Sequence, residues 1–351
     1  MSTPETLDNI SHQLNIYVGT CMFILGIIGC IWNILVFRHY SFRLSSCCIY
    51  LVFGSFASLV QLLFGLLPRI LSDGFLFDWN ITNIAWCKIR SYVASCASLI
   101  ALYCFVWSGI DRFFSTCQQI KWRYLTSVPI AKQICLLTIS LWMIFNIPVL
   151  IYTRPLATTG TCASSSLIWS KISVYCLNLL CYGTFPWLLT SIFGILTLKN
   201  LRRVHQQRIN PFSMPKLVRT TRLDHQLIAM VLLQIFSSMI SSTPFCIRII
   251  YDNLTQTVTK TKYRRAQEKL CMQIVYLMFY LNYVSMFYVN YISSTVFRRL
   301  SKKVLTNLYK KDENISRGVT VINHQRSCPE GETRHEAKVF STFGPNTTSS
   351  V

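Results

Sequence analysis

Acidic side chains are what this sequence has least of: Asp and Glu together number 13 among 351 residues, and all charged residues make up only 13%. A soluble domain of this length carries a more highly charged surface than that. The long apolar stretches hold almost no carboxylates, and the six histidines are scattered. That removes the clustered acids, bases and ligands a membrane enzyme needs, so no catalytic activity, cofactor or metal is expected. CxxC pairs with metal spacing are missing too; Cys47 and Cys48 are adjacent, a poor geometry for sharing one zinc. Lys and Arg are absent from the first fifteen residues, which are polar and include Glu5 and Asp8, so no signal peptide is expected there. A membrane-centre acid, paired broken helices and an internal repeat are also lacking, which weighs against a transporter or channel.

What the chain does have is apolar surface. Hydrophobic residues make up 52% and the mean hydropathy is +0.40, so lipid is the natural solvent for much of it. Most of the fifteen cysteines, Cys30, Cys96, Cys104, Cys135, Cys181 and Cys246 among them, lie inside apolar stretches as small packing residues. Seven segments approach the ~20 residues that cross ~30 Å of hydrocarbon. They are Ile16–Phe37, Cys47–Leu71, Cys87–Cys117, Ala131–Thr153, Ile172–Leu198, Leu223–Tyr251 and Leu270–Ser294. Backbone polar groups in lipid must be satisfied within the segment, so each is expected to be a helix and the fold all-α, a seven-helix transmembrane bundle. The expected organisation is a tail over 1–15, the bundle over 16–295, an amphipathic helix over 296–311 and a disordered tail over 312–351.

The net charge of +21 would suggest nucleic acid on a soluble protein. Here the cations sit between apolar runs and orient them, so no nucleic-acid partner is expected. Arg38, His39 and Arg43 follow the first span, and Lys121, Arg123 and Lys132 the third. Lys199, Arg202, Arg203, Arg208, Lys216, Arg219 and Arg222 follow the fifth, and Arg298, Arg299, Lys302 and Lys303 the seventh. All fall on one side, which places that side in the cytosol and the N-terminus outside. Glycosylation sequons at Asn9, Asn80 and Asn253 fall on the outer side, whereas those at Asn314 and Asn346 fall in the cytosolic tail and should be inert. One outer loop breaks the rule with Lys260, Lys262, Arg264, Arg265 and Lys269, charge that disobeys topology and so has another task. After the seventh span, Phe297, Leu300, Val304, Leu305 and Leu308 recur at helical spacing among cations, the pattern of a helix lying on the inner leaflet.

Polar residues at fixed places narrow the choice among seven-span proteins. Asp111-Arg112-Phe113 stands at the inner end of the third span, and Cys87 twenty-five residues before Arg112. Asn33, Trp142, Pro186 and Pro244 mark the first, fourth, fifth and sixth spans, and Cys162 lies in the second outer loop. This ordered set resembles the rhodopsin-like G-protein-coupled receptors over roughly Ile16 to Tyr309, with Phe113 where that family has Tyr. The resemblance implies a Cys87–Cys162 disulfide pinning the outer loop over the bundle mouth. It also implies that Arg112 pairs with Asp111 and bridges to Asp224 at the start of the sixth span in the resting state. The implied partners are an extracellular ligand, a heterotrimeric G protein, arrestin and the lipid bilayer of the plasma membrane.

Departures from the family are as plain. Ser55 stands in place of the span-2 Asp and Ala101 in place of a usual Ser, removing most of the family's sodium ligands. Ser242 replaces the Trp two residues before the span-6 Pro. The Asn-Pro-x-x-Tyr motif of the last span is broken: its positions read either Met286 to Asn290, or Asn290-Tyr291 as a remnant. Ala94 occupies the place where amine receptors keep an Asp, which argues against an amine ligand. Arg69, Arg90 and Arg248 in the outer halves of their spans instead suit an acidic ligand, or a peptide with an acidic stretch or carboxylate. The short N-terminus and loops look most like the neuropeptide branch. The alternative is a seven-span chemosensory receptor outside the rhodopsin-like class, which the broken span-7 motif keeps open.

Overall fold

A computed structural model describes residues 3–39, 42, 45–75, 83–117, 119–156, 161–209, 222–255 and 258–307. It is 91% helical. Seven of its helices are long and apolar enough to cross a membrane: α1 (Pro4–Phe37), α2 (Ser46–Gly74), α3 (Ile84–Thr116), α4 (Val128–Tyr152), α5 (Ile168–Arg203), α6 (His225–Leu254) and α7 (Lys262–Ser293). The chain is therefore a multi-pass membrane protein built as an all-α seven-helix bundle. It divides into two units, Met1–Val304 and Leu305–Val351; of the second only residues 305–307 are described, and they are helical.

Two helices begin well before their apolar segments, and each has a capped first turn. α1 begins at Pro4 rather than Ile16: Thr3 accepts a hydrogen bond from the amide of Thr6, and Pro4 fills a first-turn position where no donor is needed. Residues 4–14, read from sequence as tail, are thus helical. α7 likewise starts eight residues before Leu270, with Thr261 capping the amide of Arg264. α3 is the most enclosed span, with 61% of its apolar window buried, and α4 the least, with 22%. Leu136, Leu137 and Ile144 accordingly point away from the protein on α4.

Prolines shape two of the helices. Pro68 lies between π-helical turns at Leu62–Leu66 and Ile70–Gly74, and a longer π-helical run, Ser173–Thr184, ends just before Pro186. A proline offers no amide hydrogen and crowds the carbonyl four residues back, which widens the turns before it at Leu62–Leu66 and Ser173–Thr184. Around Pro244 the helix stays continuous, and Ser241, Ser242 and Thr243 donate their hydroxyls to the carbonyls of Ser237, Ser238 and Met239. Such back-bonding loosens the ladder where the proline has already removed one rung.

Two apolar clusters fill the bundle. One gathers Leu62, Leu66, Leu99, Trp142, Tyr182 and Phe279, and the other Phe37, Leu51, Phe105, Leu227, Met286 and Phe297. Gly26 permits the approach of α1 to α2, since a Cβ there would stand 2.6 Å from Leu62 Cδ1. Beyond α4 the chain forms a hairpin, β1 (Thr153–Leu156) antiparallel to β2 (Thr161–Ser164), with Pro155 opposite Cys162. α7 breaks at Ser294, which leaves the helical region, and its hydroxyl accepts from the amide of Phe297 to start the next helical stretch, residues 295–304.

Candidate functional site

Both ends of α3 carry chemistry. At its first end Asn83 accepts hydrogen bonds from the amides of Ala85 and Trp86, fixing the turn that presents Cys87. Cys87 is joined in a disulfide to Cys162 on β2, with Cα atoms 5.9 Å apart. The hairpin is thereby tied to the end of the bundle where the sequence reading placed it.

The same end holds a polar cavity of about 520 Å³ between α1, α2, α6 and α7. Its cations are Arg69, Arg248, Arg265 and Lys269, and its acids Asp73 and Glu268. Arg69 lies 3.6 Å over the ring of Tyr276, donates to Gln273 Oε1 at 3.3 Å and meets Asp73 at 3.4 Å. Arg248, almost fully buried, meets Asp252 at 2.7 Å. Each arginine also keeps a buried Nε with no hydrogen-bond partner among the described residues. Gln273 ties the floor together by donating to Asn15 Oδ1 at 2.7 Å, while Asn15 donates to the Arg69 carbonyl at 3.2 Å.

Of the four ligand residues expected from sequence, Arg69 and Arg248 therefore meet at this cavity. Arg90 and Ala94 are not among its lining residues; Arg90 Nε donates to the carbonyl of Phe64 at 3.3 Å, and Ala94 is half-buried on α3. The basic loop also has internal work. Glu268 takes Lys260 at 2.6 Å and Arg264 at 3.1 Å, while Asp8 takes Lys269 at 3.1 Å. Arg265 and Lys262, both exposed, have no carboxylate partner among the described residues. Asn9 is exposed on α1, Asn253 accepts from the Tyr175 hydroxyl at 3.3 Å, and Asn80 lies outside the described residues.

At the far end of α3, Asp111 and Arg112 are both buried and paired, with Arg112 Nη2 2.5 Å and Nε 3.2 Å from Asp111 Oδ2. The other carboxylate oxygen accepts from Ser46 Oγ at 2.6 Å, so α2 holds the acid from behind. Phe113 packs between Phe114 and Phe193, with ring centroids 5.5 and 5.4 Å away. The side chain of Asp224 lies outside the described residues.

The middle of the bundle holds the remaining landmarks. Asn290 donates to Asn33 Oδ1 at 3.3 Å, both fully enclosed, and Trp142 stacks obliquely on Tyr103 at 4.6 Å. Ser55 donates to the Leu51 carbonyl at 2.7 Å and reaches Met286 Sδ at 3.4 Å, and Ala101 is fully buried. Ser242 accepts from Trp187 Nε1 at 3.3 Å. The broken span-7 motif thus still delivers an asparagine to the first span. Two residues had no signal in sequence. Ser46 is one. Gln226 is the other: its Oε1 accepts from Ser294 Oγ at 2.8 Å and Val296 N at 2.7 Å, and its Nε2 donates to Thr295 Oγ1 at 2.6 Å. It clamps the break after α7 to α6.

Comparison of the sequence with protein-family models and with curated proteins returns no match.

Proposed function

We propose that this chain is a rhodopsin-like G-protein-coupled receptor of the plasma membrane, with its N-terminus outside. It takes an extracellular ligand bearing a carboxylate or acidic stretch, best matched by a peptide, and activates a heterotrimeric G protein. The observation that carries this reading is the buried Asp111–Arg112 pair at one end of α3, opposite the Cys87–Cys162 disulfide at the other. A buried guanidinium held at a helix end by a carboxylate can serve as a two-state element, retained in the bundle or released to an incoming partner. The ligand class is supported by the gathering of Arg69, Arg248 and the exposed Arg265 at one cavity. The side of the chain richest in Lys and Arg would then face the cytosol, where G protein and arrestin act. The hydroxyl-rich turn before Pro244 supplies a place for α6 to flex.

The test is a screen of amidated and free-acid peptides against a second-messenger reporter in cells expressing the chain. Acidic peptides should give the hits, and Arg69→Gln and Arg248→Gln should each weaken them tenfold or more without loss of surface protein. Hits confined to amines, or insensitivity to both substitutions, would refute the ligand class.

A further inference from the structure

A second cavity, of about 530 Å³, lies where the ends of α1, α2 and α4 converge. That volume is in the range of pockets that hold small organic ligands. Its wall is apolar, built from Phe37, Phe42, Ile49, Val52 and Phe53, with Val128 at the start of α4. Phe37 and Phe42 are fully buried and pack edge to face at 5.5 Å. Two cations stand at its mouth, Arg38 just past the end of α1 and Lys132 in the first turns of α4. Both are exposed, and neither has a carboxylate partner among the described residues. The rest of α4 turns Leu136, Leu137 and Ile144 outward, so the cavity opens at the border between a lipid-facing helix surface and a basic rim.

Cations at span ends commonly reach for headgroups without forming a site. Here the two charges flank a half-open apolar recess, a combination that recognises a molecule anionic at one end and aliphatic at the other. We propose that this recess binds one anionic glycerophospholipid, its phosphodiester between Arg38 and Lys132 and an acyl chain along Phe37, Val52 and Phe53. On the proposed orientation the lipid comes from the cytosolic leaflet, where anionic lipids concentrate. Binding itself requires neither that orientation nor any coupling to a G protein.

The experiment is native mass spectrometry of the purified full chain titrated with phosphatidylserine, and with phosphatidylcholine as the neutral reference. One phosphatidylserine should bind ahead of all others and in preference to phosphatidylcholine. R38Q/K132Q should lose that preference roughly thirtyfold, the strength typical of two basic contacts at an anionic surface. The charge-keeping swap R38K/K132R should retain it. K121Q/R123Q, on the exposed helix Ile120–Tyr124, should bind as the wild type does. V128W, which fills the recess and keeps both charges, should lose the tight lipid. Unchanged preference in R38Q/K132Q, or equal loss in K121Q/R123Q, would overturn the proposal. If R38Q/K132Q fails to fold, V128W decides, and undiminished phosphatidylserine binding there would overturn it equally.

Discussion

Ser46 on α2 donates its hydroxyl to Asp111 on α3 at 2.6 Å, and through that carboxylate it positions Arg112. A hydrogen bond to a buried charge contributes about 1.5–3 kcal/mol. Ser46→Ala should lower the stability of the detergent-solubilised protein by that order, measured by thermal unfolding. Ser46→Thr, which keeps the donor, should lose less. Equal losses would mean that the contribution of Ser46 is steric.

The disulfide predicts a double-mutant result. Cys87→Ser and Cys162→Ser should each reduce surface expression, and the double variant should fare no worse than either alone, because both remove one bond. Additive losses, scored by flow cytometry of a tagged chain, would show that each cysteine acts separately.

Sodium should be without specific effect. Ser55 spends its hydroxyl on Leu51 and Met286, and Ala101 offers no ligand. Agonist affinity in sodium chloride should equal that in an equimolar chloride of another monovalent cation. A sodium-specific change would show that another group supplies the missing carboxylate.

Topology follows from the loop charges. An epitope tag at the N-terminus should be reached by antibody on intact cells, and one at the C-terminus only after permeabilisation. A C-terminal tag exposed on intact cells would reverse the orientation.

The number of spans and the disulfide partners were legible in the sequence for different reasons. Hydropathy counts lipid-facing residues, so it found all seven helices, yet it could not see α7 continuing through Arg264, Arg265 and Glu268. Those charges remain helical because Thr261 caps the turn and Glu268 pairs with Lys260 and Arg264. The same pairing answers part of the question posed by the basic loop. The cysteine pair was readable only through the family pattern, since spacing alone leaves many partners open. Gln226 and Ser46 were invisible, because a lone polar residue in a span becomes meaningful only when its partners, Ser294, Thr295 and Val296 or Asp111, are in place. Arg90 looked equivalent to Arg69 in sequence, but its turn on α3 carries it to the Phe64 carbonyl and not to the cavity.

In the proposed receptor, Arg112 is the group that would engage the G protein. The direct measurement is binding of a non-hydrolysable GTP analogue to membranes expressing the wild type, Arg112→Ala or Asp224→Asn at matched surface levels. Arg112→Ala should fall to the level of membranes without the chain. If Asp224 restrains Arg112 by even ~1.4 kcal/mol, Asp224→Asn should raise the small basal signal about tenfold. Identical nucleotide binding in all three, no different from membranes lacking the chain, would contradict the receptor reading.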